Sequence, residues 1–163
     1  MSAVRSTARK AIARPVTSKG APREVADHLC FAVYSAGHAF NRVYKPLLDE
    51  MKLTYPQYLV MIALWAKDNQ TVGQIGQQLF LESSTLTPLL KRLEALGYLT
   101  RTRDPEDERQ VRLSLTDKGS ALRKKARDVG ACVEAATGLS LDAMIRLHGE
   151  IVALRDRLMK AAG

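Results

Sequence analysis

SSTLTPLLKRLEALG, residues 83–97, is the stretch around which the rest of the chain is spaced. Leu86, Leu89, Leu90, Leu93 and Leu96 recur at three- and four-residue intervals, the period of a helix with one buried stripe. Ser84, Thr85, Thr87, Lys91 and Arg92 fall on the other side. Ser83 or Ser84 is expected to cap the start, Pro88 to lie in the first turn or so, and Gly97 to follow the last turn. The prediction is a short helix with an apolar back and a front of hydroxyls and cations.

Upstream, TVGQIGQQL at 71–79 places Val72, Ile75 and Leu79 on one side, with Thr71 and Gln74 spaced as a capping box. Phe80, Leu81 and Glu82 then form a turn of helix-turn-helix length. After Gly97 the period changes. Residues 98–103 are compatible with a strand, and from Arg109 a second run alternates, with Val111, Leu113 and Leu115 on one face. Asp104, Pro105, Glu106, Asp107 and Glu108 make the polar turn between them. Two helices, a tight turn and a charged hairpin predict a winged helix-turn-helix.

That arrangement suits a duplex. Ser84, Thr85, Thr87 and Pro88 are small enough to approach base edges, and Lys91 and Arg92 reach phosphate or guanine. Arg101, Arg103, Arg109 and Arg112 flank the wing, where arginines extend contact to the backbone or the minor groove. Asp107 and its acidic neighbours are expected to orient Arg109 rather than meet phosphate themselves.

Composition bounds this reading. The 163 residues carry a formal charge of +8 and are 46% hydrophobic, enough for one domain with helical extensions. The charge is unevenly spread: Arg5, Arg9, Lys10, Arg14, Lys19 and Arg23 precede the first acid, Glu24. Between residues 83 and 115 six basic residues face five acidic ones, so attraction to DNA rests on their placement. Residues 1–21 are expected to be a disordered basic arm; they superficially resemble a transit peptide but lack the apolar core of a secretory signal. No apolar run approaches the roughly 18 residues of a membrane span. Two cysteines make no disulfide framework and fit a reducing compartment.

A helix is predicted from Pro22, carrying Val25, Leu29, Ala32, Val33, Ala36, Phe40 and Val43, with Pro46 kinking or dividing it. Pro56 opens another through Trp65. Thr116 caps a helix striped by Leu122, Ala126, Val129 and Val133 and fading near Thr137 and Gly138. Ser140 caps the last one, whose Leu141, Met144, Ile145, Leu147, Ile151, Leu154 and Leu158 exceed what a wing could cover. The expected organisation is one domain over 22–163. Its segments 22–55 and 116–163 are dimerisation helices, and 56–115 is the DNA-binding region. A twofold homodimer would present two reading helices to inverted-repeat half-sites of a double-stranded operator.

Cys30 stands one helical turn before Tyr34, with Tyr44 and Tyr55 farther along. A cysteine on an apolar face is most often an inert buried residue. Phenol hydroxyls that donate to a thiolate would instead favour it over the thiol, and a thiolate attacks the O–O bond of a peroxide to become a sulfenic acid. Cys132 is either filler in its helix or the thiol that resolves that sulfenic acid across subunits. A bridge needs Cα atoms within roughly 7 Å, so closing one from afar would require movement.

With those residues on the page, the region from about Asp27 to Val129 resembles the MarR family of bacterial transcriptional regulators, and within it the organic hydroperoxide resistance regulators. The likeness is carried by DHLCFAVY at 27–34, YKPLLDEMKLTYPQY at 44–58, LESSTLTPLLKRLEALGYLTR at 81–101 and DERQVRLSLTDKG at 107–119. The resemblance implies a mainly α, MarR-like fold with a small β wing and helical dimerisation regions at both termini. It implies that Cys30 reacts with an organic hydroperoxide, that Tyr44 and Tyr55 bond to it, and that Tyr34 shares their pocket. Asp107 and Arg109 match the family's wing pattern, in which an arginine enters the minor groove. Cys132 matches the two-cysteine type, implying an intersubunit Cys30 to Cys132 disulfide that releases the operator of a cytoplasmic, homodimeric repressor. Phe31, Phe40, Leu47 and Met51 are expected to line an apolar approach to Cys30, from their nearness in sequence. No cofactor, no metal and no enzymatic turnover is expected. Two alternatives remain: a regulator whose tyrosine pocket takes a non-covalent phenolic or lipophilic ligand, and a cysteine-dependent peroxidase.

Overall fold

The computed structural model describes residues 24–163. The expected basic arm at 1–21 and the helix start at Pro22 lie outside the described residues. Two units are distinguished, one running through Phe40 and the other from Asn41.

In the first unit, Glu24 and Asp27 close a reciprocal capping box around a 3₁₀ turn, Val25–Asp27. Helix α1, Leu29–Asp49, begins there and continues into the second unit. Its start lies seven residues after the expected Pro22, because Glu24 and Asp27 cap the short turn instead of opening the long helix. Pro46 neither divides nor ends α1. It lies within the last turn, where its missing N–H costs one ladder bond and no further turns need building.

The second unit is assembled on α2, Tyr55–Ala66, which opens with the Thr54–Gln57 capping box and Pro56 and buries Tyr58, Val60, Met61 and Leu64. Strand β1, Gln70–Thr71, leads into α3, Val72–Leu79, through the anticipated Thr71–Gln74 capping box. After the three-residue turn comes α4, Ser83–Ala95. Neither serine caps it. The N-cap is Glu82, without a side-chain cap bond, and Pro88 sits in the helix interior. The Thr87 hydroxyl donates to the Ser83 carbonyl at 2.7 Å beside that proline. Leu86, Leu90 and Leu93 are buried as the period demanded, each contributing roughly 2 kcal/mol of apolar burial.

Helix α4 ends in a Schellman motif. Gly97 takes φ +73°, its N–H bonds to the Glu94 carbonyl at 2.8 Å, and the Tyr98 N–H reaches the Leu93 carbonyl at 3.0 Å. That reversal feeds β2, Leu99–Arg103, which pairs antiparallel with β3, Val111–Leu115, in register Leu99↔Leu115 to Arg103↔Val111. Strand β1 pairs with the other edge of β3, giving the order β1-β3-β2. The two-residue β1 is too short to show a period. Its Gln70 is buried yet satisfied, donating to the Ala63 and Lys67 carbonyls at 3.0 and 2.6 Å and accepting from Gln78.

Thr116 caps α5, Asp117–Lys125, as expected. The helix then breaks, and α6, Val129–Thr137, follows a turn closed by the Val129 N–H on the Ala126 carbonyl. The single expected helix is therefore two, although Leu122, Ala126, Val129 and Val133 are all buried. Ser140 caps α7, Leu141–Ala161, which has no buried residue. Among the described residues, no helix is long and apolar enough to cross a membrane.

Candidate functional site

Helix α4 sets one face of the site. Ser84, Thr85, Thr87, Pro88, Lys91 and Arg92 are all exposed, as the leucine stripe on the opposite side required. The turn before α4 holds Phe80 in the left-handed region, φ +54°, with its ring half exposed beneath the Arg155 guanidinium of α7 at 4.4 Å. Nothing in the local sequence announces that stacking, since Arg155 lies 75 residues away in the chain.

The wing sorts its arginines into two kinds. Arg109 is open to solvent: its side chain is 95% exposed, and its guanidinium Nε lies 3.6 Å from an Asp107 carboxylate oxygen. Asp107 also accepts from the Arg109 backbone N–H and the Gln110 side chain, both at 3.1 Å, so the predicted orienting role has a geometric counterpart. Arg103 is exposed and touches the Glu108 carbonyl at 3.4 Å. Arg101 instead turns back onto Glu94 of α4 at 2.8 Å, and Arg112 is occupied by Asp104 at 2.6 Å and the Asn69 carbonyl at 3.2 Å. Asp104 is buried. The Glu106 backbone N–H, and after it Arg112, hold its carboxyl below the usual carboxylate range. Sequence placed Asp104 in the turn with the other acids; the pairing with Arg112 depends on strand register, which spacing alone did not supply.

The tyrosines divide likewise. Tyr44 of α1 and Tyr55 at the start of α2 pack with ring centroids 4.4 Å apart and planes tilted by 36°. Tyr44 is pushed up to about 12, by burial first and then by Tyr55, Tyr58 and Glu134. Burial also raises Tyr55 and Tyr58. Both phenols therefore keep their protons near neutral pH and remain donors. A cleft of about 250 Å³ opens beside them, lined also by Asn41, Lys45, Leu48, Asp49, Leu53 and Thr54. From Tyr44 the aromatic contacts continue to Tyr58 and on to Trp65, at 6.0 and 6.1 Å. The Trp65 indole in turn donates to the Gly119 carbonyl at 2.9 Å.

In the first unit, Cys30 is a free thiol, exposed on the single chain. Tyr34 is exposed and contacts Phe31 and, edge-on at 4.4 Å, His38. Phe40 is exposed as well. In the second unit, Leu47 packs against the core and Met51 is buried within it, so Met51 serves the core rather than an open wall. Cys132 is free and exposed on α6, the helix that carries Glu134 toward Tyr44.

Comparison with known proteins gives this geometry its context. The family described as transcriptional regulator SarA/Rot matches residues 42–126. The chain is 48% identical over 147 residues to the HTH-type transcriptional regulator TtmR of Methylorubrum extorquens, covering 90% of this chain and 75% of that one. It is 41% identical over 132 residues to the organic hydroperoxide resistance transcriptional regulator of Bacillus subtilis, covering 81% and 90%. Among solved structures, AbfR of Staphylococcus epidermidis superposes with a TM-score of 0.70 at 34% identity, covering 83% of this chain and 94% of that one. Reduced AbfR bound to DNA gives 0.69 at 35% identity, over the same shares. Its disulfide-formed structure gives 0.57 at 36%, covering 80% and 91%.

Proposed function

The chain belongs to the SarA/Rot family of MarR-like, winged-helix transcriptional regulators, and from that premise we propose that it is a homodimeric, DNA-binding repressor of the bacterial cytoplasm that senses organic hydroperoxides through Cys30. The observation that carries this reading is the exposed, free Cys30 in a chain 41% identical to an organic hydroperoxide resistance regulator. AbfR, similar in fold, has been seen reduced on DNA and in a disulfide-formed state.

In this reading the exposed front of α4 enters the major groove, with Ser84, Thr85, Thr87 and Pro88 against base edges and Lys91 and Arg92 on phosphate or guanine. Arg103 and Arg109 of the wing reach the backbone and minor groove. Phenol hydroxyls are the donors such a thiolate needs, and Tyr44, Tyr55 and Tyr34 are the tyrosines that the family resemblance assigns to that role. Phenols with raised pKa values suit that task, because a donor that kept losing its proton would repel the thiolate.

The chemistry is a two-electron transfer. A sulfur lone pair attacks the outer peroxide oxygen, the O–O bond breaks, and the alkoxide leaves and takes a proton to become the alcohol. Cys30 is then a sulfenic acid. The Cys132 thiol of the second subunit attacks that sulfur, an S–S bond forms, and the sulfenic oxygen departs as water. Drawing α6 toward another subunit's α1 would displace the paired reading heads from a shared duplex.

The test uses the full chain and a duplex selected from a random pool by the reduced protein. Titration with tert-butyl hydroperoxide should release that duplex from the wild type, whereas Cys30→Ser should bind it equally well and not respond. Release that persists in the variant removes Cys30 as sensor. A second reading, that the 250 Å³ cleft beside Tyr44 and Tyr55 takes a non-covalent phenolic ligand, predicts the opposite: a response independent of both cysteines.

A further inference from the structure

We propose that Asp104 and Arg112 are positioning residues that lock the wing to the helix-turn-helix head, so that Arg109 is presented at a fixed place on the duplex; the inference rests on the DNA-binding role proposed above. The Asp104 carboxylate joins both sides of the hairpin. One oxygen accepts from the Glu106 backbone N–H at 2.8 Å, and the other accepts from the Arg112 Nε at 2.6 Å. Its own N–H closes the tip by donating to the Gln110 carbonyl at 3.0 Å. The Arg112 fork then extends beyond the hairpin. Its Nη1 donates to the carbonyl of Asn69, in the corner before β1, at 3.2 Å.

That corner is itself fixed. Asn69 takes a left-handed φ of +54°, and one Asp68 carboxylate oxygen accepts both the Asn69 N–H at 2.7 Å and the Leu115 N–H of β3 at 2.9 Å. A two-stranded ribbon can twist about its base, and only the two-residue β1 ties this one to the head through the ladder. The guanidinium adds a side-chain strut, charge-assisted at Asp104 and carried by the planar fork that lysine lacks. The Asp104 side chain is only 5% exposed, so it is withdrawn from phosphate and its charge is spent on Arg112. Arg109, whose side chain is 95% exposed and which lies in the loop that Asp104 closes, is the residue this strut serves.

The sign of one substitution separates this from a simple charge effect. Asp104→Asn removes a negative charge from a DNA-binding element, which by electrostatics alone should tighten binding. Positioning requires the reverse, a loss of about tenfold in affinity for the selected duplex. Arg112→Lys keeps the positive charge but cannot serve Asp104 and Asn69 together, so it should lose a similar amount; an Arg112 that merely neutralised phosphate would tolerate lysine. In a double-variant cycle, Asp104→Asn should cost little once Arg109 is alanine, because the strut acts through Arg109. Helix content by circular dichroism and the unfolding midpoint should stay near wild type in both single variants. Tighter binding by Asp104→Asn, full retention by Arg112→Lys, additivity in the cycle, or affinity lost only in step with unfolding would each overturn the proposal. A wild-type chain that selects no duplex would instead sink the DNA-binding reading beneath it.

Discussion

The Tyr44 and Tyr55 rings lie 4.4 Å apart between centroids, and burial makes both hold their protons more tightly than free tyrosine does. The folded chain keeps the Tyr44 proton until about 12, whereas the unfolded chain gives it up around the ordinary 10. Between those values the unfolded state binds fewer protons, so stability falls as pH rises, and below the lower one the group has no effect. Urea unfolding at stepped alkaline pH should therefore show a loss in the wild type that Tyr44→Phe reduces. Equal alkaline slopes in the two proteins would place the raised pKa elsewhere.

Gly119 sits where α5 meets the end of the α4–β2 corner, and a Cβ there would lie 1.8 Å from the Tyr98 carbonyl oxygen. That oxygen accepts the Thr116 N–H at 3.1 Å and cannot retreat without opening the wing base. Gly119→Ala is expected to cost about 3 kcal/mol. Trp65 donates to the Gly119 carbonyl and is the only tryptophan in the chain, so its emission reports this joint directly. An alanine variant with an unchanged urea midpoint would show that the joint yields freely.

The parts of the fold legible beforehand were those with local physical signatures. A leucine period wrote the back of α4, and by elimination its exposed front; the capping side chains of Thr71, Thr116 and Ser140 and the left-handed backbone of Gly97 marked four helix ends. What escaped depended on distant partners. The two residues of β1 matter because of β3, Arg101 and Arg112 are drawn inward by Glu94 and Asp104, and Met51 was claimed by the core. Pro46 is expected to kink or divide its helix and Pro88 to lie in a first turn, yet both sit inside helices, each forfeiting a single bond in a helix stabilised elsewhere by packing.

Arg109 is the most exposed charged group of the wing pair it forms with Asp107, whose side chain is half buried. If it enters a minor groove, Arg109→Ala should weaken binding to the selected duplex by about 1–3 kcal/mol and relax any preference for a narrow groove at the flanks. Gel-shift titrations at fixed salt measure both. Unchanged affinity and unchanged flank preference would assign the arginine to solvent.

Helix α7 leaves Leu141, Ile145, Ile151 and Leu158 exposed, 48% or more of each, and Leu147 is open as well. Scattered apolar residues need no explanation, but a 21-residue helix with none buried and several large aliphatics open to water has a surface that a partner would cover. A second copy of this chain fits, since α1 likewise exposes Leu29, Val33 and Phe40, and a twofold arrangement buries the same patches on both subunits. Ile145→Glu combined with Ile151→Glu should then shift the protein from dimer to monomer in sedimentation, each carboxylate costing about 2 kcal/mol or more at a buried interface. The monomer should also lose the duplex, because one reading head keeps only half the contacts of an inverted repeat. A variant that sediments as a dimer at micromolar concentration and still binds would show that α7 is not where the subunits meet.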